Sequence, residues 1–337
     1  MVFILSTVYR MLPEFIKNRS FFVNMVQRFN NKRVDKEIES HQMLIDLIFA
    51  NCDIKATGVM RQIQLLSVEL LRLFDKICQK HNIQYWLDYG TLLGAIRHGG
   101  FIPWDDDVDI GMLRKDYEKF CEVFPEEINN IEGLSDKVII QRLKQPHTKD
   151  DEITPLDTFN DNTHILFFQC AYKKPFAHFD VFPRDYIEDC GITEKRNKKQ
   201  MKLQVELRKN IKKGIWSFDE GLKIQNEKMH FTDEKTEYLS DAIDGLHNNI
   251  ENRLYKTEYV FPLKEVQFED YTFYMPNNAD KYLELIYGPE YMHLPRTALD
   301  HNTTGFIKGQ YDNIKEDIDA GFDAEIKFLK DINENFK

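Results

Sequence analysis

Apolar residues recur in two rhythms along this chain, and the switches between them mark its elements. From Gly58 to His81, residues Ile63, Leu66, Leu70, Leu73, Phe74 and Ile77 follow the 3.6-residue period of a helix with one buried face. Ile83 to Tyr89 is rich in β-branched and aromatic residues and stops at Gly90, which predicts a strand ending in a sharp turn. Leu92, Leu93 and Ile96 then give a short helix one apolar face, with Thr91 as its expected cap, Gly99-Gly100 as its end and Arg97 and His98 at its rim. A second strand is expected from near Trp104. Tyr117, Phe120, Cys121 and Phe124 predict another helix, while Val138 to Leu143, Ile165 to Ala171 and Ala177 to Phe182 read as strands.

Farther on, Leu203, Leu207, Ile211 and Ile215 repeat at four-residue spacing in a basic helix from Glu194 to Ile215. Glu234 to Tyr255 reads as an acidic helical stretch. Val266–Phe268 and Tyr271–Tyr274 form a hairpin pattern around Glu269-Asp270, and Pro276-Asn277-Asn278 and Gly288-Pro289 bracket a further helix. Tyr311 to Phe336 closes the chain as a charged helix. These alternations imply an α/β (α+β) fold, a mixed sheet flanked by helices. The organisation expected is a helical extension over 1–57, a catalytic unit over 58–300 and a C-terminal helix over 301–337. Within the extension, Phe21, Phe22, Met25, Val26 and Phe29 alternate with Lys17, Arg19, Arg28, Lys32 and Arg33. That amphipathic pattern suits either an anionic membrane surface or packing on the catalytic unit or a second subunit. The polar, turn-rich stretch from Lys144 to Thr163 is either a loop over the site or a surface excursion.

The chemistry concentrates between Tyr85 and Met112. Asp105, Asp107 and Asp109 are two residues apart, and on a strand that spacing points all three carboxylates to one face. Three like charges on one face repel unless a divalent cation sits among them, and hard oxygen ligands suit Mg²⁺ or Mn²⁺. A solvated acidic loop is the plainer reading, but Phe101, Ile102, Trp104, Val108, Ile110 and Met112 surround the acids and favour a strand entering a core. An EF-hand is excluded, because Ile110 and Asp116 fall where that loop needs Gly and Glu. Gly90 and Thr91 open a helix whose amides can cradle phosphate beside the acids. Asp180, amid His178, Phe179, Val181 and Phe182, is costly to bury unless paired or metal-bound. Asp185 reads as a turn residue.

The segment from about Gly58 to Cys121, with Arg61-Gln62-Ile63-Gln64-Leu65, the Gly-Thr turn and the acidic stretch, resembles the core motif of the LicD family, which includes the fukutin-related proteins. Phe179-Asp180-Val181-Phe182-Pro183 is similar to the family's second acidic motif. Tyr282 to Gly288 and Tyr291-Met292-His293-Leu294-Pro295 resemble its C-terminal signature. The resemblance implies a nucleotidyltransferase-like fold and transfer of a phospho-alcohol (phosphocholine, or ribitol or glycerol phosphate) from a CDP donor to a hydroxyl of a glycan or lipid-linked glycan, releasing CMP. On this reading Asp105, Asp107, Asp109 and Asp180 hold Mg²⁺ or Mn²⁺, and Asp107, Asp109 and Asp180 are catalytic, with Asp180 as general base. Gly90, Thr91, Arg97 and His98 would contact the donor phosphates. A Mn²⁺-dependent glycosyltransferase is the rival enzyme, and a membrane-apposed cation-binding scaffold the non-enzymatic one. Trp86, Tyr89, Phe101 and Trp104 are close enough in sequence to form a choline cage or are simply core. Lys281 and Tyr282 face the donor, the core or the surface.

Composition narrows the partners. A net charge of −11 argues against a nucleic-acid backbone, since counterion release rewards basic surfaces. The five cysteines are scattered with no Cys-x-x-Cys pair, so a reducing cytosol is expected, and Cys78 and Cys121 read as buried and inert. The fukutin-related branch, by contrast, is secretory, membrane-anchored and zinc-binding, so its compartment is not carried over. No run reaches the roughly 18 apolar residues of a membrane span, and Arg10 and Pro13 interrupt the N-terminal apolar run too early for a signal peptide. A cytoplasmic protein, at most peripheral to the membrane, is the expectation.

Overall fold

A computed structural model of the chain describes residues 43, 54–142, 168–188, 191, 193–243, 254–293 and 321–336. Residues 54–291 with 300–337 form one compact unit, and everything below except Met292 and His293 lies in it. The other unit, residues 1–53 with 292–299, includes only Met43, Met292 and His293 among the described residues. The expectations for the N-terminal extension and for 144–163 therefore fall outside the described residues.

Helix α1, Gly58–Lys80, matches the predicted rhythm and buries Leu66, Leu70, Leu73, Phe74 and Ile77. Strand β1 is only Trp86–Leu87, and α2, Tyr89–His98, follows at once. Strand β2 is Asp109–Leu113 and α3 Arg114–Asn129. Strands β3, Val138–Arg142, β4, Phe168–Tyr172, and β5, Ala177–Ile187, come next. Helices α4, Thr193–Lys212, and α5, Phe218–Met229, lead to β6, Phe231–Thr232, β7, Tyr238–Asp241, and β8, Leu254–Lys256. A single turn, α6, Thr257–Val260, precedes the hairpin β9, Lys264–Phe268, and β10, Tyr271–Met275. Helices α7, Ala279–Tyr287, and α8, Phe322–Asn335, complete the described chain.

The sheet runs β1-β2-β5-β4-β3, with β6 and β7 also paired to β5 and β8 to β7. β5 organises it. Its first half pairs parallel with β2 and antiparallel with β4, and its second half pairs with β7 and β6. All the other pairings of this sheet are antiparallel, so the sheet is mixed. β5 is buried along nearly its whole length, and α1 and α3 pack on it. Phe74, Phe120, Phe124, Phe168 and Phe179 form an aromatic cluster there, with ring centroids 4.8–5.7 Å apart. Trp86 lies flat on Gly111, its partner in the β1–β2 register, where a Cβ would come within 2.4 Å of the indole. A second, smaller core joins Leu203, Leu207 and Ile211 of α4 to Phe218 and Leu222 of α5.

Three expectations are corrected. The helix after β1 begins at Tyr89 and is capped by Asp88, which accepts the Tyr89 N–H at 2.9 Å, so Thr91 sits inside the helix. No strand begins at Trp104. Residues 101–108 are irregular, consistent with Pro103 interrupting any ladder, and only Asp109 of the three acids is on a strand. The acidic stretch from Glu234 holds strands β7 and β8 rather than a helix, because Leu239 packs inward and the segment pairs with β5.

Candidate active site

The acids converge by a route different from simple strand alternation. Asp109 opens β2 in register with Asp180 of β5, on adjacent parallel strands. Asp105 and Asp107 come from the preceding irregular segment, which folds back over the start of α2. A Cβ added to Gly90 would lie 2.8 Å from Asp105 Oδ2, so a side chain here would push that carboxylate away, while Asp109 Oδ2, at 3.9 Å, would be in ordinary contact. Asp105, Asp106 and Asp107 offer carboxylate oxygens within 4.8 Å of one another.

Several residues hold these acids in place. Thr91 Oγ1, buried, accepts the Asp109 N–H at 2.8 Å. Gln64 of α1, also buried, donates to the carbonyls of Ile102 at 3.2 Å and Asp105 at 2.9 Å, fixing both ends of the turn that carries the first acid. Arg61 forms a two-point pair with Glu269 at 2.9 and 2.7 Å, and Glu269 accepts the Phe101 N–H at 3.2 Å. The hairpin tip and α1 thus clamp the start of the same segment. Gln169 donates to Asp180 Oδ1 at 3.0 Å, and His178 Nε2 stands 4.0 Å from Asp180 Oδ2.

The electrostatics of the cluster are unbalanced. Burial, then the charges of Asp107, Asp180, Asp105 and Asp88, push the Asp109 carboxyl well above the usual carboxylate range. Burial and the neighbouring Asp107 and Asp106 do the same to Asp105. Among the described residues no lysine or arginine is ion-paired with Asp105, Asp107 or Asp109. His178 is held below its ordinary value by burial, against the opposing pull of Asp107, so it is neutral at pH 7.

Behind this cluster lies a compensated one. Arg184, fully buried, donates to Asp88 Oδ2 at 2.6 Å and stands 3.0 Å from Asp241 Oδ1 through Nε. Tyr282 donates to Asp88 Oδ1 at 2.9 Å and receives the Trp86 indole N–H at 3.2 Å. Tyr255 stacks on Tyr282 with centroids 4.6 Å apart and donates to Asp241 at 3.3 Å. Tyr89, with a left-handed φ of 35°, donates to the same Asp241 oxygen at 3.4 Å. The network anchors the cap of α2, and with it Gly90 and Thr91.

Of the residues singled out in the sequence, Gly90, Thr91, Asp105, Asp107, Asp109 and Asp180 are brought together. Arg97 and His98 are not. They end α2, roughly 10 Å along its axis from Gly90. There Arg97 donates to His98 Nε2 at 2.9 Å and to the Tyr291 carbonyl at 3.1 Å. Burial and Arg97 lower the His98 pKa to about 4, so it is an uncharged acceptor near neutrality. Asp185 is no turn residue: it lies within β5, buried, in a two-point pair with Arg114 at 2.9 and 2.8 Å. Tyr282 faces the core and Lys281 the surface, the latter paired with Glu284. Trp86, Tyr89 and Phe101 are committed to the core, which leaves only the half-buried Trp104 of the four aromatic residues weighed for a cage. Asp106, His178 and Arg184 carried no sequence signal of a role at the site, and Gln64 stood in the motif that carries the resemblance without a role attached to it. Asp106 fell on the wrong face of the expected strand, and the roles of the other three depend on contacts between distant segments.

Part of the chain is similar to known proteins. Residues 82–199 match the LicD/FKTN/FKRP nucleotidyltransferase domain. The lipopolysaccharide cholinephosphotransferase LicD of Haemophilus influenzae is 44% identical over 80 residues, covering 23% of this chain and 30% of that protein. The human ribitol 5-phosphate transferase FKRP is 46% identical over 48 residues, 14% of this chain and 10% of its own length, and human FKTN 42% over 50 residues, 15% and 11%. The matched stretch thus spans less than a third of each relative. The domain match over residues 82–199 includes the capped helix α2, the acidic segment, β2 and β5. The chain carries a LicD-family nucleotidyltransferase domain at residues 82–199.

Proposed function

We propose that this protein is a metal-dependent phosphotransferase that moves a phospho-alcohol from a CDP-linked donor to a hydroxyl of a cell-surface glycan, releasing CMP. The observation that carries the reading is the approach of Asp105 and Asp109 to the first turn of α2, with Asp107 beside Asp105, Asp180 in register with Asp109, and both within electrostatic reach of Asp109. Domain similarity to enzymes named for transferring choline phosphate and ribitol phosphate supports it.

The donor set fits a hard divalent cation. It is all oxygen, the carboxylates repel one another, and a cation relieves that repulsion. Asp105, Asp107, Asp109 and Asp180 would hold one or two Mg²⁺ or Mn²⁺ ions, which neutralise the donor diphosphate and acidify a nearby hydroxyl. Gly90 presents first-turn amides to phosphate oxygens, where helix geometry leaves N–H groups without an intrahelical acceptor. Asp180 takes the proton of the acceptor hydroxyl while its oxygen attacks the phosphorus bearing the alcohol. The bond from that phosphorus to the bridging oxygen breaks, and CMP leaves with the electron pair. Gln169 keeps the Asp180 carboxylate oriented through its 3.0 Å hydrogen bond.

Incubation with CDP-choline, CDP-ribitol and CDP-glycerol tests this reading. The expected result is CMP release that stops with chelator and returns with Mg²⁺ or Mn²⁺, and a glycan product that retains phosphorus. A phosphorus-free glycoside made from a nucleotide-sugar would establish the glycosyltransferase reading instead, and no turnover of any donor would leave the scaffold.

A further inference from the structure

Helix α4 divides cleanly into two faces. Arg196, Gln200, Leu203, Gln204, Leu207 and Ile211 are buried, and its three apolar residues pack in the small core with α5. The opposite face is exposed, and lysines dominate it. Lys195, Lys198, Lys202, Lys209 and Lys212 recur at three-, four- and seven-residue spacing, with Lys199 beside them and Lys213 just past the helix end. Two of these are engaged: Lys198 pairs with Glu194, and Lys199 donates to the Lys228 carbonyl. Lys195, Lys202, Lys209, Lys212 and Lys213 have no acidic partner among the described residues.

Two further facts set this face apart from an ordinary solvated helix. The whole chain carries −11, so a run of unpaired cations on one rigid face is a local reversal of sign. Large apolar side chains are interleaved with the lysines: Met201 is 40%, Val205 62% and Ile215 60% exposed. Met201 and Val205 are one turn apart and share the lysine face. Exposed apolar side chains within a cationic stripe gain nothing from water, whereas lysine heads at phosphate level with apolar side chains reaching the acyl boundary satisfy both.

We infer that the exposed face of α4 docks this protein on an anionic lipid bilayer. Charge complementarity and the interleaved apolar side chains select that partner, and the inference is independent of the reaction proposed above. The helix lies down on the surface and does not insert across it, since no helix among the described residues is long and apolar enough to cross a membrane. Each lysine close to an anionic leaflet adds on the order of fivefold to partitioning.

Co-sedimentation of the full chain with vesicles tests it, comparing phosphatidylglycerol-containing with pure phosphatidylcholine vesicles at low and at physiological salt. Binding is expected only to the anionic vesicles, weakening with salt. The Lys202→Glu/Lys209→Glu/Lys212→Glu variant should bind at least about a hundredfold more weakly, and Val205→Ser several-fold more weakly, with melting temperature and donor hydrolysis unchanged. Equal binding to both vesicle types, no binding by the wild type, or an unaltered triple variant would overturn the assignment. A chain lacking residues 1–40 separates this surface from the basic N-terminal segment: loss of binding on that deletion with none in the triple variant would place the contact there and also overturn the inference.

Discussion

Two groups of acids stand side by side in this molecule and are treated in opposite ways. Asp88 and Asp241 share the guanidinium of Arg184 and the hydroxyls of three tyrosines. Asp105, Asp107 and Asp109 meet chiefly one another and Asp180. The first arrangement has a cation and hydroxyl donors within the fold, although burial still holds the Asp88 carboxyl above the usual carboxylate range. The second stores repulsion that an added divalent cation would release. Carboxylates with a resident counterion act as structure here, and those without one are the candidates for chemistry.

The contrast predicts opposite consequences for removing a charge from each group. Asp109→Asn should reduce donor turnover to near background, yet raise the melting temperature of metal-free protein, because it removes a mutually repelling charge. Asp180→Asn should lower transfer by about two to four orders of magnitude while donor binding is largely kept, the range expected for loss of a general base. Arg184→Met should do the reverse of Asp109→Asn in stability. It strands Asp88 and Asp241 without a counterion, costing about 3–5 kcal/mol. Thermal melts of all three in chelator, beside their CMP-release rates, check this. A destabilised Asp109→Asn or a neutral Arg184→Met would erase the distinction.

Smaller effects test how the cluster is held. Gln64→Leu removes two hydrogen bonds to the segment bearing Asp105 and should weaken metal binding by about ten- to a hundredfold with the fold intact, as is usual for groups that orient ligands. Glu269 supplies the pH dependence. Burial acts to raise it, but the hydrogen bonds and charge of Arg61 and the Phe101 N–H prevail and hold it below 4.5. Its contribution to stability is therefore full above pH 4.5 and is lost as pH falls through the lowered value. Glu269→Gln should flatten that part of the acid limb of a stability–pH profile. Arg97→Ala, at the far end of α2, should change donor affinity least, by no more than about threefold, the scale of a screened surface charge. A larger loss would bring Arg97 back among the donor contacts.

What could be read from the sequence follows from the range of the interactions. Helix α1, helix α4, the β9–β10 hairpin and helix α7 are local patterns of period and punctuation, and they lie where the sequence placed them. The grouping of Asp105, Asp107, Asp109 and Asp180 was legible too, although the expected strand was not there: an irregular segment turns the first two acids toward Gly90, and the tertiary fold does what alternation was expected to do. β7 was misread as helix because its evidence is non-local, coming from the pairing of Leu239 with Tyr186 on β5. The role of Arg184, and the contact that Gln64 makes from within its motif, were not legible for the same reason. Arg184 joins positions 88 and 241, and Gln64 reaches 38 and 41 residues ahead to the backbone it holds.

Calorimetric titration of Mg²⁺, in the presence of the CDP-alcohol that is turned over, into metal-free wild type, Asp109→Asn and Asp88→Asn tests the central contrast most directly. Saturable binding by the wild type, lost in Asp109→Asn and retained in whatever fraction of Asp88→Asn is folded, is the predicted result. Equal affinity in wild type and Asp109→Asn would contradict the account, because the uncompensated acids would then not be what binds the cation.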